Sequence, residues 1–162
     1  MATHYAETRR TPYTVRQMYD LVADVASYPQ FLPWIAGTRI RDRRPLAGDE
    51  AGERMEADMI VSFKVFRESY LSFVELRPPE SYEVAQVLAK AAPGGPFERL
   101  VMNYRFHETP EGTCDLSFEV DFAFRNKLLQ KVAGGFFGEA MKRVIRGFEA
   151  RAAELYGKQA AV

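Results

Sequence analysis

The chain has a single cysteine, Cys114, so no disulfide forms within it, and such usage fits a reducing compartment. It has only two histidines, His4 and His107, far apart and without a Cys or carboxylate at metal-ligand spacing, which excludes the common zinc patterns. It has no excess of either charge, with Lys+Arg and Asp+Glu both at 22. That excludes a surface built throughout for nucleic acid, DNA included, but not a local basic face. No run approaches the ~18 apolar residues of a membrane span. No Gly-rich phosphate loop or nucleophile elbow occurs, and no carboxylate can be named as a cavity base, so no catalytic residue is assigned. Internal repeats, low-complexity linkers and charge blocks are also missing, so one domain is expected over 1–162, with a core at about 4–157. Strand-like alternation begins almost at Met1, and no signal or transit peptide is expected. The expected location is cytoplasmic, with peripheral contact on the inner face of a membrane left open.

What is present is led by Val22-Ala-Asp-Val-Ala-Ser-Tyr-Pro-Gln-Phe-Leu-Pro-Trp34, which sets Tyr28, Phe31, Leu32 and Trp34 around Pro29 and Pro33. The prolines fix φ and remove backbone donors. A segment so stiff and apolar is either a plug for a core or one wall of an apolar cavity. Upstream, residues 4–10 read as an edge strand broken at Thr11-Pro12. Thr14 with Gln17 forms a capping box, and Val15, Met18, Tyr19, Val22 and Val25 follow at helical spacing. Ser27 with Gln30 repeats the cap pattern and opens a second short helix.

From Ile35 to Phe124 the period is two. Met55 to Phe63, Tyr70 to Leu76, Tyr82 to Leu88, Leu100 to Phe106 and Leu116 to Phe124 alternate apolar with polar residues, separated by short breaks. This is an antiparallel meander with one wet and one covered face. The cover is a last helix over about Lys127 to Tyr156, with a broad apolar stripe from Leu129 through Phe136, Phe137, Met141 and Phe148 to Leu155. The fold class is α+β: a curved antiparallel sheet around a long C-terminal helix, with two short helices after the first strand.

The inward residues Met59, Val61, Phe63, Tyr70, Met102, Tyr104, Phe118, Val120 and Phe122, with Phe136, Phe137 and Met141 from the helix, suit an adaptable apolar pocket and equally an ordinary filled core. Gly134-Gly135 inside the helix costs about 1 kcal/mol per glycine. Two accounts are a close sheet–helix contact and a bend that opens a lid. The loop Ala92 to Phe97 either borders a pocket mouth or is a simple turn. Lys127, Lys131, Lys142 and Arg146 line one side of the last helix. They form a solvated face, a contact for anionic lipid headgroups or a contact for ribosomal RNA.

The string DVASYPQFLPW, the strand LVMNYRFHET, Asn126-x-Leu128-Leu129 and the tail FEARAAELYG resemble the coenzyme Q-binding START-like family, within the polyketide-cyclase and birch-pollen-allergen-like superfamily. The resemblance runs from about His4 to Gly157. Many relatives carry a cysteine straight after the tryptophan, where this chain has Ile35-Ala36; a buried cysteine often acts as a small hydrophobe, so the departure carries little weight. The resemblance implies a helix-grip fold with a deep cavity between sheet and helix. It implies non-catalytic binding of ubiquinone or a similar prenyl lipid in support of respiration, with no cofactor required. Phe31, Trp34 and the inward residues named above would then be ligand contacts, and Asn103, Tyr104 and Arg105 partners of the quinone ring. A closely similar branch, named for a ribosome-associated toxin that blocks subunit joining, implies the ribosome as an alternative partner. Cyclase-type catalysis is a third implication.

Overall fold

The computed structural model describes residues 3–63 and 66–157. Thr14 does what its spacing predicts. Its hydroxyl accepts from the Gln17 amide at 3.1 Å, the Gln17 side chain accepts from the Thr14 amide at 3.0 Å, and α1 (Val15–Ala23) begins there. Met18, Tyr19, Leu21 and Val22 form its buried face. The second cap pattern works differently. Asp24, not Ser27, stands before the 3-10 turn Val25–Gln30, and the Ser27 hydroxyl donates to Asp24 at 2.6 Å. Pro29 inside that turn offers no amide, which keeps it short.

Seven antiparallel strands follow the order β1-β7-β6-β5-β4-β3-β2. They are β1 (Thr3–Thr11), β2 (Ile35–Pro45), β3 (Glu53–Phe63), β4 (Phe66–Arg77), β5 (Ala85–Ala91), β6 (Phe97–Glu108) and β7 (Cys114–Phe124). β1 reaches the sheet by pairing with β7, Tyr5 opposite Val120, so the chain's first and last strands are neighbours. Every other pairing joins consecutive strands. Register shifts in β2 and at the start of β6 accompany bends in the sheet.

Two sequence expectations need correction. In β5 the inward residues are Ala85 and Val87, while Gln86 and Leu88 face out. Tyr82 and Val84 precede the strand, and their apparent parity belongs to a turn. The terminal helix is two helices, α2 (Lys127–Gly134) and α3 (Phe137–Tyr156). The glycine pair does not serve a close sheet contact, because a Cβ on Gly134 would meet nothing within 4 Å. Close approach occurs instead at Gly147, where a Cβ would lie 3.1 Å from Leu32 Cδ2 and 3.3 Å from the Phe31 carbonyl oxygen. Leu155, at the end of the expected stripe, is exposed.

α3 lies across the inner face of the sheet. Its C-terminal half packs Ile145, Phe148 and Ala152 into a core with Met18, Val22, Phe106 and Leu116. Among the described residues no helix is long and apolar enough to cross a membrane, and no three potential metal ligands come together.

Candidate functional site

Beside the filled core, beneath the first half of α3, lies a cavity of about 320 Å³. Its floor is the inner sheet face: Met59 and Val61 from β3, Tyr70 from β4, Leu100, Met102 and Tyr104 from β6, Val120 and Phe122 from β7. Strand alternation puts these side chains together, since residues two apart share a face. Phe136, Phe137, Ala140, Met141 and Val144 form the roof, at the one-turn spacing of a helix face. Tyr28, Leu32 and Trp34 close one side. Trp34 holds φ at 66°, a left-handed conformation unusual for a bulky residue, and its carbonyl accepts from the Ser62 amide at 2.8 Å. That turn joins the proline-bounded segment to β2 and aims the indole at the cavity.

α2 forms the rim. Asn126 caps it by accepting from the Leu128 and Leu129 amides at 2.9 and 3.1 Å. Gln130 ties it to the sheet, accepting from the Phe124 amide at 2.6 Å and donating to the Thr3 hydroxyl at 3.0 Å. No residue of α2 is buried. Val132 and Phe136 line the cavity yet are 54% and 49% exposed, so they mark its mouth. Leu128, 70% exposed, continues the apolar surface outward.

Of the predicted ligand contacts, Trp34, Met59, Val61, Tyr70, Met102, Tyr104, Val120, Phe122, Phe136, Phe137 and Met141 line this cavity. Phe118 does not. It is 1% exposed, further along β7, stacked against Tyr104 at 4.9 Å as part of the filled core. Phe31 does not either, because its ring packs edge-on to Phe148 at 5.5 Å beneath the Arg151 guanidinium at 5.4 Å. The side chain of Phe63 lies outside the described residues. Asn103 and Arg105 are corrected as ring partners. They flank Tyr104 on a strand and therefore point to the outer face, where Asn103 accepts from the Gln86 amide group at 2.8 Å and Arg105 is exposed.

Sequence reasoning left out Phe97, Leu100, Phe124, Leu129, Val132 and Val144, all of which line the cavity. Leu100 and Phe124 share the parity of Met102 and Phe122, and Leu129 and Val132 continue the helical spacing back from Phe136, so the same periodicities contain them. Phe97, at the end of the loop that precedes β6, lines the cavity with its ring edge-on to Tyr70 at 5.1 Å.

Chemically the lining is uniform: among the described residues it has no Asp, Glu, His, Lys, Arg or Cys. Asp58 and Asp121 lie on the opposite face, where Asp58 pairs with Arg41 at 2.7 Å and Asp121 with His4 at 2.7 Å. Among the described lining residues the only ionisable groups are three phenols. Burial pushes Tyr28, Tyr70 and Tyr104 well above the ordinary phenol range, and each stays protonated at neutral pH. The Tyr28 hydroxyl donates to the Val22 carbonyl. Cys114, buried elsewhere, is pushed up to about 12 by the same desolvation, which leaves its thiol inert.

The basic residues sit outside. Lys127 and Lys131 are exposed on α2, Lys142 and Arg146 on α3, so the break divides them between two helices. Arg146 approaches Glu139 at 3.8 Å.

The arrangement fits known proteins over nearly its whole length. The chain is 32% identical over 151 residues to the ribosome association toxin RatA of Escherichia coli strain K12, covering 93% of this chain and 87% of that one. It is 32% identical over 158 residues to the mitochondrial coenzyme Q-binding protein COQ10 homolog B of Xenopus laevis, covering 96% of this chain and 60% of that one. Among solved structures, the 18 kDa protein CC1736 from Caulobacter crescentus superposes with a TM-score of 0.71 at 30% identity, covering 96% of this chain and 99% of that one. Residues 11–149 match the family described as polyketide cyclase / dehydrase and lipid transport. Sequence, helix-grip fold and cavity agree, and the chain belongs to that family.

Proposed function

We propose that this protein is a non-catalytic carrier that encloses ubiquinone or a closely similar prenyl quinone and supports its use in respiration, with no cofactor. The observation that carries the reading is the cavity of about 320 Å³ whose lining, among the described residues, holds no charge, no nucleophile and no metal ligand. Ligand pockets span roughly 300–1,000 Å³, so a headgroup with the first part of a tail fits inside while the rest leaves past Val132 and Phe136. Each buried methylene of the tail contributes about 0.8 kcal/mol, which offsets the cost of association within a few isoprene units. The name of the Xenopus relative agrees with this ligand class. Cyclase chemistry would need a proton acceptor near neutral pH, and the three phenols of the lining are poor ones.

The test is extraction. Protein made in quinone-producing cells yields about one prenyl quinone per occupied chain in solvent extracts read by mass spectrometry. An empty extract, with no change in the fluorescence of Trp34 (the single tryptophan) on adding quinone, overturns the reading.

A second reading, a regulator that associates with the ribosome, is favoured by the equal similarity to RatA. Lys131→Gln, Lys142→Gln and Arg146→Gln together separate the two, since all three side chains are exposed and contribute little to the fold. For a carrier that docks peripherally on the inner face of an anionic membrane, each basic residue near the surface adds about 1 kcal/mol. The triple variant then binds anionic vesicles less well, most clearly at low salt. For a ribosome partner, vesicle binding is negligible from the start and the variant loses co-sedimentation with ribosomal subunits.

A further inference from the structure

Two hydroxyls in the cavity are not used by the fold. Tyr104 is 3% exposed and Tyr70 stands edge-on to Phe97, and both line the cavity. Among the described residues, neither hydroxyl bonds to a protein atom, and neither is sealed off, so both open onto the cavity. Five of the six other tyrosines differ, Tyr19 being the exception among the described residues. Tyr28 donates to the Val22 carbonyl, Tyr13 to the Gly157 carbonyl at 3.0 Å and Tyr156 to the Gln17 carbonyl at 3.0 Å. A phenol enclosed by apolar side chains without a partner is costly, and phenylalanine would fill the same space without that cost. Both are therefore donors whose protons have no acceptor within the protein.

Resting on the carrier reading above, we infer that Tyr70 and Tyr104 are donors for carbonyl oxygens of the ligand headgroup, and that the cavity selects uncharged lipids bearing such acceptors. Selection works in two directions. A prenyl hydrocarbon leaves both hydroxyls unpaired, which is the same penalty the empty site carries. A fatty acid brings a carboxylate into a lining that, among the described residues, has no Arg, Lys or His, where it is a buried charge without a counter-ion. A neutral carbonyl meets the donors without that cost. The head then lies inward beside Tyr104, and the tail points toward the exposed mouth at Val132 and Phe136.

The test compares three probes: ubiquinone with two isoprene units, squalene and oleate. Wild-type protein binds the quinone in preference to both others, and the infrared carbonyl band of the bound quinone is shifted to lower frequency. Tyr70→Phe and Tyr104→Phe each lower quinone affinity about three- to tenfold, return the band upward and leave squalene affinity unchanged. The single variants serve if the double variant does not fold. Equal quinone affinity in wild type and variants with an unshifted band overturns the inference while leaving the carrier reading standing. Oleate bound as tightly as quinone also overturns it. Wild-type protein that binds no quinone overturns the carrier reading, and the inference with it.

Discussion

The two halves of α3 cover the same sheet with the same kinds of side chain, yet one half is packed and the other spans a cavity. The C-terminal half buries Ile145, Phe148 and Ala152 to 1% exposure or less. It is also fastened. Tyr13 donates to the Gly157 carbonyl, Tyr156 reaches the Gln17 carbonyl on α1, and Arg9 grips Glu149 with two hydrogen bonds at 3.0 and 3.1 Å. The N-terminal half places Phe137, Ala140, Met141 and Val144 over open space, and the helix before it buries nothing. The difference is what lies beneath. α1 and the turn at Tyr28 fill one end, and no element fills the other. An apolar stripe thus states which surface must be kept from water. It does not state whether protein or ligand does the covering.

Substitutions at the two ends test this contrast. Phe148→Ala removes a fully enclosed ring and is expected to cost about 3–5 kcal/mol in urea unfolding. Met102→Ala, at the cavity, is expected to cost about 1 kcal/mol or less, because its far side already lacks neighbours, while prenyl-quinone affinity falls about tenfold. Equal stability losses with unchanged affinity would make the cavity end an ordinary core. Ala140→Phe sharpens the contrast from the other side. It fills the space under the roof, leaves stability within about 1 kcal/mol of the parent and abolishes quinone-dependent quenching of Trp34.

A third expectation uses pH. Tyr19, edge-on to Phe106 at the filled end, is pushed up by burial from the ordinary phenol value of 10.0 to about 12. Tyr70 and Tyr104 are raised further. The unfolded chain gives up these protons near pH 10 while the folded one holds them, so stability is intact below pH 10 and falls as pH rises from there through about 12. Phenolate absorbance then appears together with loss of circular dichroism. Tyr70→Phe with Tyr104→Phe moves that onset upward, and an unmoved onset places the alkaline sensitivity at the filled end. The smallest effect is expected at Gly134→Ala, where the added Cβ meets nothing within 4 Å. A gain of about 0.5–1 kcal/mol follows from helix propensity alone, and a loss shows that the interruption between α2 and α3 is itself stabilised.

The sequence made the architecture legible wherever a period was long enough to repeat. Eleven-residue strands such as Glu53–Phe63 and Cys114–Phe124 alternate without ambiguity. The seven-residue β5 does not, and the turn residues Tyr82 and Val84 carried the parity to the wrong face. Periodicity gives the face of a residue but not its depth along the strand. Phe118 and Phe122 therefore read alike, although one stacks in the core and the other lines the cavity. Asn103 and Arg105 show the reverse, because alternation alone excludes them from the side that holds Tyr104. The helix break was visible only as two glycines. A cost of about 1 kcal/mol each does not determine whether a helix bends, packs closely or stops. The Phe31 ring was placed in the cavity because its segment was read as a unit, whereas the Gly147 contact turns that end of the segment toward α3.

The outermost strand bears on how such a molecule stays dispersed. β2 ends the sheet, and a terminal strand offers unpaired amides and carbonyls to any other extended chain. Here Arg39, Arg41, Arg43 and Arg44 stand exposed along it, two register shifts interrupt its regular spacing, and Pro45 closes it without a donor. Arg41, Arg43 and Arg44 are held in ion pairs with Asp58, Glu53 and Asp42, so a second copy approaching this edge would have to desolvate a row of charged groups and would find no straight ladder to extend. At this edge the protein offers no seam for fibrillar growth, even though apolar side chains stand open at α2.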